Sequence, residues 1–281
     1  MKKRVISAIV MIVIAVVAIY FGGYVLGAVV LYFAAVGLYE FYRAFKKKGF
    51  NPIMPIGFLY LGLIPVVVFL KPAHALEIPV LGTNIFPAFQ MLVVLALLLI
   101  LVVGHKKYTP VDCAITLLGG FYVPFLFSFF NLTRNMEDGM FLMIIGIVGS
   151  VLADTFALFG GKLFGKKKLV PEISPKKTVA GCIAAFIGAL VSVTAYGVIL
   201  HFTHALTHPI GIEHFAILGL LMGGTSQVGD LSASVIKRYC GLKDFGNSIP
   251  GHGGILDRFD SMLFNMPLVY CYLVIMNAVT I

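Results

Sequence analysis

Residues 226–260 read SQVGDLSASVIKRYCGLKDFGNSIPGHGGILDRFD, and this stretch decides how the chain is organised. It begins inside an apolar run that ends at a Lys-Arg pair, and a glycine-rich segment follows. The last apolar run then begins at two aspartates three residues apart, Asp257 and Asp260. Only 12% of the chain is charged, yet eight charged residues fall in this window. Because charge is costly in a chain that dissolves in lipid, the window is the first candidate for chemistry.

Outside this window the chain is dominated by apolar runs. Of its 281 residues, 60% are hydrophobic, and the runs are long enough to cross a hydrocarbon core of about 30 Å. We therefore predict an all-α, polytopic membrane bundle without a soluble domain. Its nine predicted helical spans are 5–21, 24–43, 56–70, 86–103, 111–130, 139–160, 178–201, 213–236 and 260–280. The 56–70 run is short and contains Pro65, which neighbouring helices can accommodate.

The basic residues indicate an orientation. With the N-terminus in the cytoplasm and nine alternating spans, 19 of the 21 Lys and Arg residues fall in cytoplasmic segments, and only Lys71 and Arg134 fall outside. The net charge of +9 thus describes a cytoplasmic membrane face that attracts anionic lipids and nucleotides, rather than a nucleic-acid-binding surface.

The chain is predicted to divide into scaffold and catalytic parts. Residues 1–130 contain five scaffold spans, and residues 131–281 contain four catalytic spans with two cytoplasmic motif loops, 161–178 and 237–259.

The first motif loop follows the sixth span and is rich in lysine. Ser174-Pro175 is predicted to begin the next helix, with Lys176 and Lys177 in its first turn. Free backbone N–H groups at a helix N-terminus favour an anion, and two lysines beside them suit a triphosphate. The alternative is an ordinary lysine-rich inner loop, but cations are normally disfavoured at a helix N-terminus.

Asp154 precedes this loop inside the sixth span. It lies beside a stripe of small residues that allows close helix packing, formed by Gly146, Ser150, Ala157 and Gly161. A carboxylate at this depth requires a Lys, a metal ion or water as its partner, or else it makes a structural hydrogen bond to a neighbouring helix.

The second motif loop lies in residues 226–260. Four polar residues form one helical stripe that is predicted to face the bundle interior: Ser226, Asp230, Ser234 and Lys237. Asp257 and Asp260 are spaced i, i+3 at the start of the last span, so they are predicted to share a face. The three carboxylates Asp230, Asp257 and Asp260 have the composition of a Mg²⁺ site.

The surroundings of these carboxylates suit phosphate. Gly251-His252-Gly253-Gly254 lets the backbone approach a ligand closely, and four cations can pair with phosphate: Lys237, Arg238, Lys243 and Arg258. A carboxylate-held metal with several cations indicates phosphoryl or nucleotidyl transfer. The sequence has no GxxxxGK[ST] motif, which argues against a transport ATPase.

At these residues the chain resembles phosphatidate cytidylyltransferases (CDP-diacylglycerol synthases). The motif that carries the resemblance runs from Ser234 through Lys237-Arg238, Lys243-Asp244 and Pro250-Gly251-His252-Gly253-Gly254 to Asp257-Arg258-Phe259-Asp260-Ser261. Gln227-Val228-Gly229-Asp230-Leu231, Ile173–Thr178 and the segment after Asp154 match as well. The chain departs from the family pattern at Ala180 and Ala233, where the family usually has glutamate.

The resemblance implies that CTP and phosphatidic acid react to give CDP-diacylglycerol and pyrophosphate, at the cytoplasmic face of a bacterial inner membrane. It implies Mg²⁺ as the cofactor, and a second metal or a monovalent cation is left open, as is a homodimer. The predicted metal ligands are Asp230, Asp257 and Asp260. The predicted catalytic set adds Lys237, Arg238, Lys243 and Arg258. The predicted substrate-binding residues are Asp154, Ser174, Lys176, Lys177, Ser226, Ser234, His252, Gly253 and Gly254.

Two other functions would use some of the same carboxylate and phosphate-binding groups. A CTP-dependent polyprenol kinase would transfer the γ-phosphate to a lipid hydroxyl and leave CDP. A transporter would use Asp154 and Asp230 as an intramembrane ion or proton relay, although a transporter site belongs near the midplane and the glycine-rich loop is predicted to be cytoplasmic.

Overall fold

The protein is helical almost throughout. A computed structural model describes residues 2–69, 77–78 and 83–279. The helices are α1 Lys2–Phe21, α2 Gly23–Lys47, α3 Met54–Leu59, α4 Leu63–Phe69, α5 Ile85–Val103, α6 Pro110–Gly120, α7 Leu126–Asn135, α8 Gly139–Phe164, α9 Val179–Phe202, α10 Ile212–Tyr239, α11 Leu256–Phe259 and α12 Met262–Val279. The strands are β1 Glu77–Ile78, β2 Thr83–Asn84, β3 Lys168–Val170 and β4 Ser174–Thr178, which form two antiparallel pairs.

The all-α membrane architecture is confirmed. Five helical segments are long and apolar enough to cross a membrane: Gly23–Lys47, Phe86–Val103, Pro110–Asn135, Gly139–Phe164 and Val179–Phe202. Shorter apolar helices cover Val5–Phe21, Met54–Val66 and Met262–Met276. Large apolar side chains such as Ile6, Leu99 and Val102 point outward, as a lipid environment requires. Every predicted span overlaps a helix, and the count of nine membrane crossings stays a prediction. The predicted outer position of Lys71 falls outside the described residues.

The chain forms two compact units. One contains the chain up to Met136 together with Cys240–Asp257, and the other contains Glu137–Tyr239 and the chain from Arg258 onward. The predicted division at residue 130 separates scaffold spans from catalytic spans, and it remains a prediction about function.

Prolines explain two irregular helices in the first unit. The predicted 56–70 span is divided by a 3₁₀ turn at Tyr60–Gly62, and the ring of Pro65 in α4 would clash with a regular carbonyl four residues earlier. Between α6 and α7, a π-helical turn at Phe121–Phe125 contains Pro124, which has no N–H to donate. Tyr60 is nonetheless fully buried in a cluster with apolar residues of α5 and α6, and Phe125 of the π-helical turn packs against this cluster.

Close helix packing in the second unit depends on small residues. Helix α8 packs along α9, α9 packs along α10, and α12 contacts both α8 and α10. A Cβ at Gly219 of α10 would lie only 2.8 Å from the carbonyl oxygen of Ala189 in α9. A Cβ at Gly146 would lie 2.6 Å from Met266 of α12, so Gly146 of the predicted small-residue stripe does lie at a helix contact.

One local prediction is wrong. Residues 174–178 do not begin a helix; they form strand β4, which pairs antiparallel with β3 through Val170–Ser174 and Lys168–Thr178. Helix α9 begins only at Val179, and the Thr178 side chain caps it by accepting a hydrogen bond from Gly181 N at 3.1 Å. The lysines at 176 and 177 therefore precede the helix, which removes the conflict with its dipole.

A buried asparagine links three helices of the second unit. Asn265 of α12 is fully buried, and its Nδ2 donates to Ser150 Oγ of α8 at 2.8 Å and to Ser226 Oγ of α10 at 2.7 Å. Its Oδ1 accepts a hydrogen bond from the Thr225 hydroxyl. Hydrogen bonds between helices contribute to association where the surroundings are apolar.

We expect Asn265→Leu to lower the free energy of unfolding in detergent by about 1–2 kcal/mol, because it leaves buried hydroxyls without their amide partner. Ser192→Ala is the matched control, since Ser192 Oγ donates to a carbonyl of its own helix, Ala189 O, at 3.2 Å. Thermal or denaturant unfolding of both variants measures the difference. Equal stability of the two variants would show that the Asn265 contacts contribute nothing.

Candidate active site

Two aspartates from different elements come together in the second unit. Asp230 lies in α10, and Asp260 lies in the turn between α11 and α12. Gly229 allows this approach, because a Cβ there would lie 2.5 Å from the Asp260 carbonyl oxygen. The predicted meeting of carboxylates from two segments is therefore present for this pair.

The surroundings of Asp260 favour a cation. Burial raises the pKa of the Asp260 carboxyl to about 7, and the negative charges of Asp230 and Asp154 act in the same direction. A hydrogen bond from Ser261 N and the positive charge of Lys237 lower it only in part. Two or more carboxylates that repel one another are stabilised when a metal ion or a basic side chain lies between them.

A lysine already neutralises one of these carboxylates. Lys177 Nζ lies 2.8 Å from Asp230 Oδ2, and the side chains of Lys177 and Asp230 are 16% and 33% exposed. In strand β4, Lys177 contacts Asp230 of α10 and is partly buried, whereas Lys176 is exposed. The pairing of Lys177 with an aspartate was not foreseen, because the sequence pattern placed this lysine in a helix.

The polar stripe of α10 faces the interior. Ser226, Ser234 and Lys237 are buried, and Ser234 Oγ donates to Asp230 Oδ1 at 3.4 Å. Asp230 itself is partly exposed. The helical spacing thus predicts the direction of these side chains correctly.

Asp154 of α8 is joined to the turn that carries Asp260. Ser261 Oγ lies 3.3 Å from both Asp154 Oδ1 and the Ser226 carbonyl oxygen, and it can donate to either. Of the partners considered for Asp154, the structure shows a hydrogen bond to a neighbouring segment.

The glycine-rich loop belongs to the first unit, and the Asp257 side chain joins two parts of it by hydrogen bonds. Asp257 Oδ2 accepts hydrogen bonds from Phe245 N at 2.9 Å and from Gly254 N at 3.0 Å. Gly253 has φ +89°, in the left-handed region that favours glycine, and its neighbour His252 contacts Ser7 Oγ through Nδ1 at 2.8 Å. The loop amides that were predicted to approach a ligand are thus partly used to shape the loop.

The expectation that Asp257 and Asp260 share a helix face is wrong. Asp257 lies in the four-residue helix α11, which ends at Phe259, and α12 begins only at Met262. Asp260 lies in the turn between the two helices, so the i, i+3 spacing does not apply to a continuous helix. Among the residues described here, no three His, Cys, Asp or Glu side chains are arranged to hold one metal ion. The predicted three-carboxylate grouping is therefore not observed.

The remaining predicted residues lie at accessible positions. Arg238 Nε donates to the Ile173 carbonyl oxygen at 3.2 Å, which joins the end of α10 to the β3–β4 turn. Ser174 begins β4, Lys243 is exposed in the first unit, and Arg258 is exposed in α11.

Comparison with known proteins identifies the family. A model described as "Cytidylyltransferase family" matches residues 2–276. The chain belongs to the cytidylyltransferase family. It is 31% identical over 278 residues to a phosphatidate cytidylyltransferase of Bacillus subtilis, with 99% of each chain covered. A Synechocystis protein of the same name is 32% identical, covering 98% of this chain and 97% of its own. A Staphylococcus haemolyticus protein of that name is 36% identical, covering 62% of this chain and 64% of its own.

Two residues of this cytidylyltransferase-family chain were missed by sequence reasoning. Asn265 holds Ser226 in place, and Glu40 of α2 contacts the glycine-rich loop in the first unit. The available signal was the same for both: a lone polar residue within an apolar helical run. The sequence could not say which partners these residues would meet.

We expect Gly229→Ala to lower turnover by roughly tenfold or more, because the added methyl group would push α10 away from the Asp260 turn and misplace the two carboxylates. Gly62→Ala is the matched control, since a Cβ there meets no atom of the described residues within 4 Å. Steady-state rates of both purified variants test this. Normal turnover in Gly229→Ala would mean that the close approach of α10 is not needed for activity.

Proposed function

We propose that this protein transfers the cytidylyl group of CTP to phosphatidic acid, giving CDP-diacylglycerol and pyrophosphate. The observation that carries the proposal is the match to the Bacillus subtilis phosphatidate cytidylyltransferase along 99% of both chains. The site chemistry also supports the proposal: Asp230 and Asp260 lie close enough to affect each other, and Lys177 and Lys237 are near them. Neither the lipid kinase nor the transporter receives comparable support.

The reaction makes modest demands on proton transfer. The phosphate of phosphatidic acid is already an anionic nucleophile, so attack on the α-phosphorus of CTP needs no strong general base. The P–O bond to the β-phosphate breaks as the new P–O bond forms, and pyrophosphate carries away the electron pair. The site must therefore bring two anions together, align them and stabilise the charge that develops.

We assign Mg²⁺ to Asp230 and Asp260. Magnesium commonly uses one or two carboxylates together with water and substrate phosphate oxygens, and a pair of aspartates fits that pattern without a third protein ligand. The mutual repulsion that helps to raise the pKa of Asp260 supports this choice. The ion would neutralise phosphate charge. Asp257 is the weaker candidate, because its Oδ2 already accepts two loop amides.

The proposed substrate contacts follow from the positions of the basic side chains. Lys177, now paired with Asp230, would exchange that partner for the triphosphate of CTP together with Lys176. Lys237, Arg238 and Arg258 of the same unit would hold the remaining phosphate oxygens, because charged donors make strong bonds to phosphate. Further polar contacts in this unit are assigned to Ser174, Ser226, Ser234 and Asp154.

The Asp260→Asn variant tests the assignment. It keeps the shape of the side chain but removes the charge, so pyrophosphate release from CTP, phosphatidic acid and Mg²⁺ should fall roughly a hundredfold to a thousandfold. Glu172→Gln changes the net charge equally on an exposed turn of the same unit and should leave the rate unchanged. Unchanged turnover in Asp260→Asn would remove Asp260 from the metal site, and a CDP by-product without CDP-lipid would instead indicate the kinase.

We also propose that the N-terminus and the β3–β4 hairpin face the cytoplasm, as the distribution of basic residues indicates. Helix α9 separates Glu172 from Thr207, so single cysteines at these positions in a cysteine-free background should lie on opposite sides of the membrane. In spheroplasts, a membrane-impermeant thiol reagent should label Thr207→Cys and spare Glu172→Cys. The opposite pattern would reverse the orientation, and labelling of both would mean that α9 does not cross the membrane.

A further inference from the structure

A buried glutamate in α2 holds both ends of the glycine-rich loop. Glu40 is only 2% exposed and lies seven residues before the end of its helix. Its Oε1 accepts a hydrogen bond from Ser248 Oγ at 2.6 Å, and its Oε2 accepts one from Leu256 N at 3.1 Å. One carboxylate therefore bridges two points eight residues apart in the chain, and the segment between them contains Gly251–Gly254.

The loop sequence leaves room for this carboxylate. A Cβ at Gly254 would lie 2.6 Å from Glu40 Oε2, and a Cβ at Gly246 would overlap Glu40 Oε1. Two of the loop glycines are thus explained by the close approach of Glu40, without reference to a ligand. Their small size and the buried acid form one packing arrangement.

Other contacts hold other parts of the same loop. Ser7 Oγ of α1 donates to the Pro250 carbonyl oxygen at 3.0 Å, and Ile249 pairs with Gly253 in an isolated antiparallel bridge. These contacts lie at the tip, whereas Glu40 acts at the base. Loss of Glu40 would therefore remove one hydrogen bond at each end of the segment and leave in place the tip contacts and the two bonds that Asp257 accepts.

The choice of an acid at this buried position has a physical reason. Burying a carboxylate is costly unless its oxygens accept hydrogen bonds, and an apolar side chain could fill the same space at lower cost. A carboxylate only accepts, so it requires the Leu256 N–H and the Ser248 hydroxyl to point toward it. It thus fixes the direction of the backbone where the loop enters α11.

We infer that Glu40 is a positioning residue for the transfer reaction: its carboxylate fixes the segment Ser248–Leu256 immediately ahead of Arg258 and Asp260. This inference rests on the proposed function. Glu40 is buried and acts through the loop. The N-terminal helices therefore contribute to activity as well as to membrane insertion.

Three substitutions at one position separate positioning from simple packing. Glu40→Ala removes both bonds, and Glu40→Asp keeps the charge but is one methylene too short to reach both partners. Glu40→Gln can keep both contacts, because its amide oxygen accepts from Leu256 N and its NH₂ group donates to Ser248 Oγ. Tyr42→Phe is the matched control, since it removes a buried bond of the same helix, from Tyr42 Oη to Thr116 O at 2.7 Å, without touching the loop.

The full-length variants are compared by steady-state kinetics, thermal unfolding and hydrogen exchange of residues 245–256. We expect kcat to fall roughly tenfold to a hundredfold in Glu40→Ala and Glu40→Asp, with faster exchange across the loop. Glu40→Gln should stay within about threefold of the unaltered protein in kcat and keep the loop amides protected, since both hydrogen bonds remain. Tyr42→Phe should lower thermal stability while kcat and loop exchange stay unchanged.

Two results would overturn the inference. Unchanged loop exchange in Glu40→Ala and Glu40→Asp would show that Glu40 does not anchor the segment. Faster exchange with unaltered kcat would show that anchoring has no role in the reaction. If the unaltered protein released no pyrophosphate from CTP and phosphatidic acid, the proposed function itself would fail, and the exchange data would still decide whether Glu40 holds the loop.

Discussion

A carboxylate inside an apolar helical protein must find donors or a cation, and this constraint accounts for much of the structure. Isolated negative charge is too costly to bury, so each acid determines what lies next to it. Glu40 determines where two loop glycines occur, and Asp257 draws two loop amides to one oxygen atom. Asp230 is met by a lysine from a strand. Glu40 and Asp257 thus hold one loop, whereas Asp230 joins a strand to a helix.

The acids differ in the kind of partner they have. Glu40 and Asp257 in the first unit accept hydrogen bonds from a hydroxyl or from backbone amides, which are neutral donors. Such bonds satisfy the oxygens and fix geometry. In the second unit, Asp230 and Asp260 act on each other as like charges, and the nearby cations offset this only in part. The neutral donors shape a loop, whereas in the charged surroundings a lysine side chain pairs with Asp230.

The sequence predicted the parts of this structure that depend on periodicity and composition. Apolar runs located the helices, and the four-residue spacing of Ser226, Asp230 and Ser234 gave the direction of one polar stripe. Prediction from the sequence failed in short segments that show no regular spacing of apolar residues. The hairpin at 168–178 and the break between α11 and α12 are decided by strand pairing and by a turn, and neither leaves a clear pattern in so few residues. Long-range contacts such as Glu40 with Leu256, 216 positions apart, were equally out of reach.

The β3–β4 hairpin gives two adjacent lysines, Lys176 and Lys177, different surroundings. Lys177 reaches Asp230, whereas its neighbour Lys176 is exposed. The ladder contains an irregularity between Lys168 and Val170, and Thr178 fixes the other end of β4 as the cap of α9. A shift of the strand register by one residue would turn Lys177 away from Asp230 and put Lys176 or Thr178 in its place. Two chemically identical side chains thus have different environments, because they occupy neighbouring positions of a five-residue strand.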